Sequence, residues 1–106
     1  MNSNTTNVLA SGIEIIGSIR FSNDMHIDGR VDGEIISDSG KVTIGEMADI
    51  KGDIKAGEVS IYGHVQGNVN SERCHLKSHA VIAGDITTGV LSMEEGARLS
   101  GRAQIG

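Results

Sequence analysis

Residues 49–69 read DIKGDIKAGEVSIYGHVQGNV and contain the pattern that decides the fold. The stretch carries the unit apolar-x-Gly-x-apolar twice, at residues 50–54 and at residues 65–69. Between these two copies lies a shorter unit, apolar-x-apolar, at residues 59–61. Both units alternate with period two, which is typical of short β-strands that bury one face.

The same two units recur along the chain. The longer unit occurs six times, and the shorter unit falls between its copies in a constant phase. The central glycines step by 16, 19, 15, 17 and 17 residues and are Gly17, Gly33, Gly52, Gly67, Gly84 and Gly101. A repeat of this length, without sustained helical periodicity, predicts a solenoid whose stacked coils bury one continuous core.

In-register stacking of the coils predicts two inward ladders of mainly aliphatic side chains. The first ladder is Ile19, Ile35, Ile54, Val69 and Ile86, and the second is Ile27, Ile44, Ile61, Leu76 and Met93. Neighbouring strands lie ~4.8 Å apart, so about six coils form a rod roughly 28 Å long. The sequence therefore predicts an all-β fold, a single-stranded β-helix of about six coils with an aliphatic core.

The junction between the shorter unit and the next longer unit has two lengths. A glycine lies at its centre in short coils, as at Gly29 and Gly63. In long coils the junction is two residues longer and turns an alanine inward, as at Ala48 and Ala80. A strict hexapeptide repeat would give a left-handed helix of constant coil length. The variable length favours a right-handed β-helix instead.

Composition and charge limit the other classes of function. With 106 residues the chain forms one domain, for which we predict a flexible polar tail at 1–12 and the β-helix at 13–106. A net charge of −5 argues against nucleic acid as a partner. One cysteine and no apolar run of ~20 residues predict a cytoplasmic protein. A Gly-rich phosphate loop with its lysine is not seen, which argues against nucleotide binding.

Residues 49–69, together with MHIDGRVDGEI at 25–35 and AGDITTGVLSMEEGARLSG at 83–101, resemble the bactofilins. The resemblance implies a right-handed β-helix of triangular section in a bacterial cytoskeletal protein. It also implies polymerisation without nucleotide, contacts between like ends, and scaffolding of cell-wall enzymes at the inner face of the cytoplasmic membrane. Many members carry a membrane-targeting peptide; here only Val8 and Leu9 offer apolar contacts near the N-terminus. Some members have an aromatic residue where Leu99 stands.

The end coils are the candidate interaction sites, since a β-helix without caps exposes unpaired backbone and an open core at both ends. The predicted N-terminal polymer interface is Ile13, Ile15, Ile19 and Phe21. The predicted C-terminal interface is Leu91, Met93, Leu99 and Ile105. The residues themselves leave open whether unlike ends meet in a polar filament or like ends meet by two-fold contacts.

Two other hypotheses accompany the filament. A non-polymerising β-helical scaffold that recruits a partner would form a monomer or small oligomer. A β-helix acyltransferase would form a closed trimer and need a general-base histidine, yet His26, His64 and His79 have no carboxylate that the spacing forces beside them. Cys74 and His75 are predicted to point to opposite sides of one strand, with His79 beyond them, so we expect no metal site, no cofactor and no enzymatic activity.

Overall fold

Short parallel strands wind into six coils with three faces. The computed structural model describes residues 6–37 and 39–106, and this part of the chain contains fifteen β-strands and no helix. Every strand pair is parallel, as it must be when each coil repeats the path of the coil before it. The bounds below assign the strands to the three faces.

The first face begins with β1 (Thr6–Leu9), β4 (Asp24–Ile27) and β7 (Lys41–Ile44). The second face contains β2 (Glu14–Ile16), β5 (Arg30–Asp32), β8 (Asp49–Lys51), β10 (His64–Gln66), β12 (Val81–Ala83) and β14 (Arg98–Ser100). The third face contains β3 (Ile19–Arg20), β6 (Ile35–Ile36) and β15 (Ala103–Ile105). Three long strands start on the third face and bend onto the first: β9 (Ile54–Ile61), β11 (Val69–Leu76) and β13 (Ile86–Met93).

The strand register confirms both predicted ladders. On the third face Ile35 pairs with Ile54, and on the first face Ile44 pairs with Ile61. Ile27, Ile44 and Ile61 are fully buried, with 0% of their surface exposed. Both ladders are thus aliphatic in the interior coils, and their outward neighbours are mostly polar and exposed. Four small polar residues are buried as well: Ser37, Ser60, Ser71 and Thr88. The β-helix prediction is confirmed as a β-solenoid of six coils.

A column of glycines forms the corner between the second and third faces, which we call the glycine corner. Gly52 and Gly67 both have φ of +140°, a region that residues with a Cβ rarely adopt. A Cβ added at Gly67 would also overlap the carbonyl oxygen of Gly52 in the coil before it. Next to this column, Asp53 Oδ1 accepts a hydrogen bond from the backbone N–H of Asn68 at 3.1 Å, and Asn68 Oδ1 accepts one from Asp85 at 3.3 Å. From Gly33 onward the glycine corner therefore requires its glycines for both torsion and space.

The corner between the first and second faces, which we call the turn corner, has two forms. In long coils it is a β-turn closed by a backbone hydrogen bond, from Ala48 N to the oxygen of Gly45 at 3.1 Å, and from Ala80 N to Lys77 at 2.9 Å. In short coils the two central turn residues are missing. A Cβ added at Gly63 would overlap the backbone oxygen of Gly45, because the long turn of the preceding coil lies against the short corner at Gly63.

The N-terminal segment differs from the predicted flexible tail at Thr6–Leu9. These residues form β1 and pair with β4, so that Leu9 lies beside Ile27 and only 6% of Leu9 is exposed. Strand β1 forms because the edge of β4 offers backbone partners and the first face offers an inward site for Leu9. The β-helix thus begins before residue 13, and the first five residues of the predicted tail lie outside the described part of the chain.

Candidate polymerisation interfaces

Both ends of the solenoid finish in complete coils whose outer edges have no strand partner within residues 6–37 and 39–106. Strands β1, β2 and β3 each pair on one side only, with the second coil. At the other end, β14 and β15 each pair only with the fifth coil. Each end coil therefore presents backbone N–H and C=O groups that a further strand can pair with.

The four residues predicted for the N-terminal interface all lie in the first coil. Ile15, Ile19 and Phe21 are half-buried and pack against the core from the open end. Ile13 takes the small inward position of the long turn that alanine holds in later coils, and 45% of it is exposed. The structure therefore brings these residues together on one end face.

The four residues predicted for the C-terminal interface lie in the last coil. Leu91 and Leu99 are half-buried against the core, whereas Met93 is 47% exposed and Ile105 is 56% exposed. Met93 continues the ladder of Ile27 and is its first member with a large exposed surface. The open end of the core is thus apolar at this end also.

Three outward apolar residues extend the end faces; the sequence prediction missed two of them, Ile16 and Val90, and named Val8 only as a membrane contact. Val8 and Ile16 lie on the outer side of the first coil, 65% and 79% exposed, and Val90 lies on the last coil, 55% exposed. Interior coils carry polar residues at the position of Ile16, as Asp32 and Lys51 show. An apolar residue in a column otherwise polar was the signal that could have identified them.

The two predicted membrane contacts point in opposite directions. Val8 points outward beside His26, whereas Leu9 points into the core beside Ile27. Of this pair, only Val8 offers its side chain at the surface. Within the described residues there is no helix long and apolar enough to span a bilayer.

The residues considered for metal binding are separated in the structure. Cys74 is buried in the core, and this burial raises the pKa of its thiol to about 11. His75 lies on the surface with its Nε2 3.4 Å from Glu58 Oε2, and His79 Nε2 lies 3.8 Å from Glu46 Oε1. In the described part of the chain, no three His, Cys, Asp or Glu side chains are grouped to hold a metal ion.

Comparison with known proteins agrees with this geometry. A family model described as bactofilin, polymer-forming cytoskeletal, matches residues 7–104. The fold is similar to that of the bactofilin of Thermus thermophilus, seen by cryo-electron microscopy in double helical filaments, with a TM-score of 0.90, 27% identity, and coverage of 94% of this chain and 99% of that one. It is also similar to the cytoskeletal bactofilin BacA, determined by solid-state NMR, with a TM-score of 0.86, 30% identity, and coverage of 95% and 96%. No curated protein matched the sequence.

The family model covers nearly the whole β-solenoid, from the second residue of β1 to the middle of β15. The solved bactofilins share the same fold over almost their full length. Their family is structural and self-associating, in keeping with a molecule whose two ends are open coils. The chain belongs to the bactofilin family of polymer-forming cytoskeletal proteins.

Proposed function

We propose that the chain assembles end to end into filaments through its first and last coils, without nucleotide or cofactor. The observation that carries this proposal is the change in burial along each inward ladder. Ile27, Ile44 and Ile61 are fully buried, whereas Met93, at the same position in the last coil, is 47% exposed. A second subunit stacked on that end supplies the missing neighbours.

The driving force follows from what each end leaves unsatisfied. Stacking buries the apolar end of the core, which is favourable at about 25 cal/mol per Å² of apolar surface removed from water. It also pairs the free backbone edges, each such hydrogen bond contributing about 0.5–1.5 kcal/mol. Both terms are available to the folded chain without an external energy source. This is why assembly needs no nucleotide.

Charge also permits assembly at the C-terminal end. The rim of the last coil carries the acids Glu94 and Glu95 and the bases Arg98 and Arg102, all exposed. Because the two signs are balanced, neither a like end nor an unlike end is repelled there by net charge. The filaments formed by the similar Thermus thermophilus protein support assembly as the role of this fold.

The wider role that we propose is to scaffold cell-shape or cell-wall machinery in the cytoplasm. End-to-end stacking leaves the three side faces of every subunit open, and a filament repeats each side face at a constant interval. Cell-wall enzymes and the inner face of the cytoplasmic membrane are the proposed partners. The exposed Val8 is the candidate membrane contact.

The test is negative-stain electron microscopy of the purified chain in plain buffer that contains a chelator and no nucleotide. We expect uniform filaments, and we expect added ATP or GTP to leave their length distribution unchanged. Dispersed particles of one small size would contradict end-to-end assembly and favour the non-polymerising scaffold. Filaments that require nucleotide or metal would contradict the cofactor-independent part of the proposal.

A further inference from the structure

The turn corner is uneven along the rod, and this creates a groove. The long turns of the third and fifth coils project at Glu46–Met47 and at Ser78–His79. Between them the short fourth coil has only Tyr62 and Gly63 at the same corner. The second coil is equally short, so the groove continues across Asp28 and has a volume of about 660 Å³.

The groove combines exposed apolar surface with negative charge. Met47 is 73% exposed and Tyr62 is 36% exposed, although both lie in the middle of the rod. The groove is lined by the carboxylates of Asp28 and Glu46, and no lysine or arginine is among its described lining residues. This pairing of Met and Tyr with two acids differs from the polar surface of the three faces.

Two histidines lie beside these carboxylates, although the sequence predicted no carboxylate partner for either histidine. His26 Nε2 donates a hydrogen bond to Asp28 Oδ2 at 2.8 Å, and His79 Nε2 lies 3.8 Å from Glu46 Oε1. The second pair connects the fifth coil to the third and so spans the short fourth coil. Side chains that are already positioned lose less entropy when a ligand binds. Asp28 is therefore positioned for a cationic ligand, while Glu46 adds its negative charge from the exposed turn.

We propose that this groove binds an extended peptide segment of a partner protein in which a lysine or arginine alternates with an apolar residue. The cation would contact Asp28 or Glu46 and lie over the ring of Tyr62, where a cation–π contact adds to the ion pair. The apolar residue would pack on Met47, whose flexible thioether adapts to different shapes. Side chains at i and i+2 of an extended peptide lie on one face, roughly 7 Å apart.

The negative charge of the groove argues against a second copy of this chain as its occupant. A two-fold contact whose axis passes through the groove would bring Asp28 and Glu46 of one chain near the same acids of the other. Like charges held together at an interface are unfavourable, whereas a basic segment is attracted. A basic, partly apolar segment is therefore the occupant that the groove fits.

The position of the groove matters for its affinity. Its Glu46, Met47 and Tyr62 lie on the side of the rod in the third and fourth coils, so this part stays open when subunits stack; only the far edge of the groove, at Ser11, reaches the first coil. A filament would present one groove per subunit in a regular row, and a partner with several basic segments would gain avidity from that row. The groove itself belongs to a single chain, so it does not depend on the proposed filament.

The probe is a random peptide library displayed on phage and selected against the intact protein. We expect the enriched peptides to share Lys or Arg with an apolar residue two positions away. A synthetic peptide of that sequence is then titrated by fluorescence anisotropy against the wild type and three variants. Glu46→Lys should weaken binding by about tenfold, and Met47→Ala should weaken it by a smaller factor.

The matched control is Glu34→Lys, which reverses an exposed carboxylate at the glycine corner. It makes the same change in net charge, so equal losses in Glu34→Lys and Glu46→Lys would overturn the proposal in favour of general electrostatic attraction. No enriched sequence, or an acidic one, would also overturn it. If Glu46→Lys changed the bundling of filaments but not peptide binding, the occupant would be a second copy instead.

The same titration on an assembly-deficient variant separates this proposal from the proposed function. A single peptide should bind such a variant as tightly as it binds the wild type. If filaments fail to form but the peptide still binds at Glu46, only end-to-end assembly is contradicted. If filaments form and the peptide binds without regard to Glu46 or Met47, only the groove is contradicted.

Discussion

The interior coils and the terminal coils are built from the same repeat, yet the same kind of side chain has a different role in the two regions. Ile61 in the fourth coil is fully buried, whereas Ile105 in the last coil is 56% exposed. Ile61 is covered on both sides by neighbouring coils of the same chain. Ile105 has a neighbouring coil on one side only. An isoleucine side chain therefore stabilises the fold in the middle of the rod, whereas at the ends of the rod the same side chain is available for assembly.

The largest expected effect separates assembly from folding. Phe21→Arg and Leu99→Arg should leave the circular dichroism spectrum unchanged and abolish long filaments, because each places a charge in an apolar end face. Asn70→Arg is the control, since it adds the same charge on the outer surface of an interior coil. Filaments of normal length from both end variants, seen by electron microscopy, would show that the end faces were chosen wrongly.

The second comparison uses one glycine from each region. Gly67→Ala should cost about 4 kcal/mol or more in the free energy of unfolding, since it combines an unfavourable φ with overlap against the coil before it. Gly17→Ala meets the φ cost alone, because nothing lies within 4 Å of its added Cβ, and should cost about 1–3 kcal/mol. Urea unfolding of both variants in the Leu99→Arg background measures the difference. Equal losses of stability in the two variants would mean that glycine is required at this corner for its backbone torsion and not for the close stacking of the coils.

A third comparison truncates one isoleucine in each region. Ile61→Ala should lower the free energy of unfolding by about 2–5 kcal/mol, because it opens a cavity in a closed core. Ile105→Ala removes a side chain that is already 56% exposed and should cost less than about 1 kcal/mol. Sedimentation should show the reverse order for assembly, with a raised critical concentration in Ile105→Ala. If Ile105→Ala destabilised the fold as much as Ile61→Ala, the distinction between the two regions would fail.

The smallest expected effect concerns Cys74, in the interior region. Burial raises the pKa of its thiol from the usual 9.0 to about 11, so the native thiol keeps its proton where the unfolded thiol loses it. This contribution to stability is fully present below pH 9.0 and is lost as the pH rises towards 11. The loss should be on the order of 3 kcal/mol. Urea unfolding between these pH values should show a shallower pH dependence in Cys74→Ala, and identical slopes would contradict the pKa shift.

The sequence predicted the interior coils well because each interior strand is marked by two signals. One is the alternation of apolar and polar residues, and the other is the regular spacing from the strand in the coil before it. The pairing of Ile35 with Ile54 across the longest step is an example, since the neighbouring glycines shift by the same amount. The first strand was harder to predict, because β1 has one strand partner within the described residues and its sequence TNVL shows no clear alternation. The spacing Leu9–Ile13–Ile15 nevertheless matches Ile44–Ala48–Ile50, with isoleucine in place of the small corner residue.

The candidate groove could not be predicted from the alternation of residues. Glu46, Met47 and His79 lie in turns, where period-two patterns say nothing about direction. Only the register of the coils shows that the turns of the third and fifth coils frame the short fourth one. The two junction lengths were visible in the sequence, but their spatial consequence required the structure.

The glycine corner and the turn corner also differ in how much length variation they tolerate. Every coil uses the same number of residues to cross the glycine corner, whereas the turn corner occurs in two lengths within one chain. The glycine corner thus keeps a constant length from coil to coil. The turn corner accepts two extra residues without a shift in the register of the strands that follow. A short foreign sequence placed between Glu46 and Met47 would then recur once per subunit along a filament, on average roughly every 29 Å. The same property that lets coil length vary would make this small protein a periodic display scaffold.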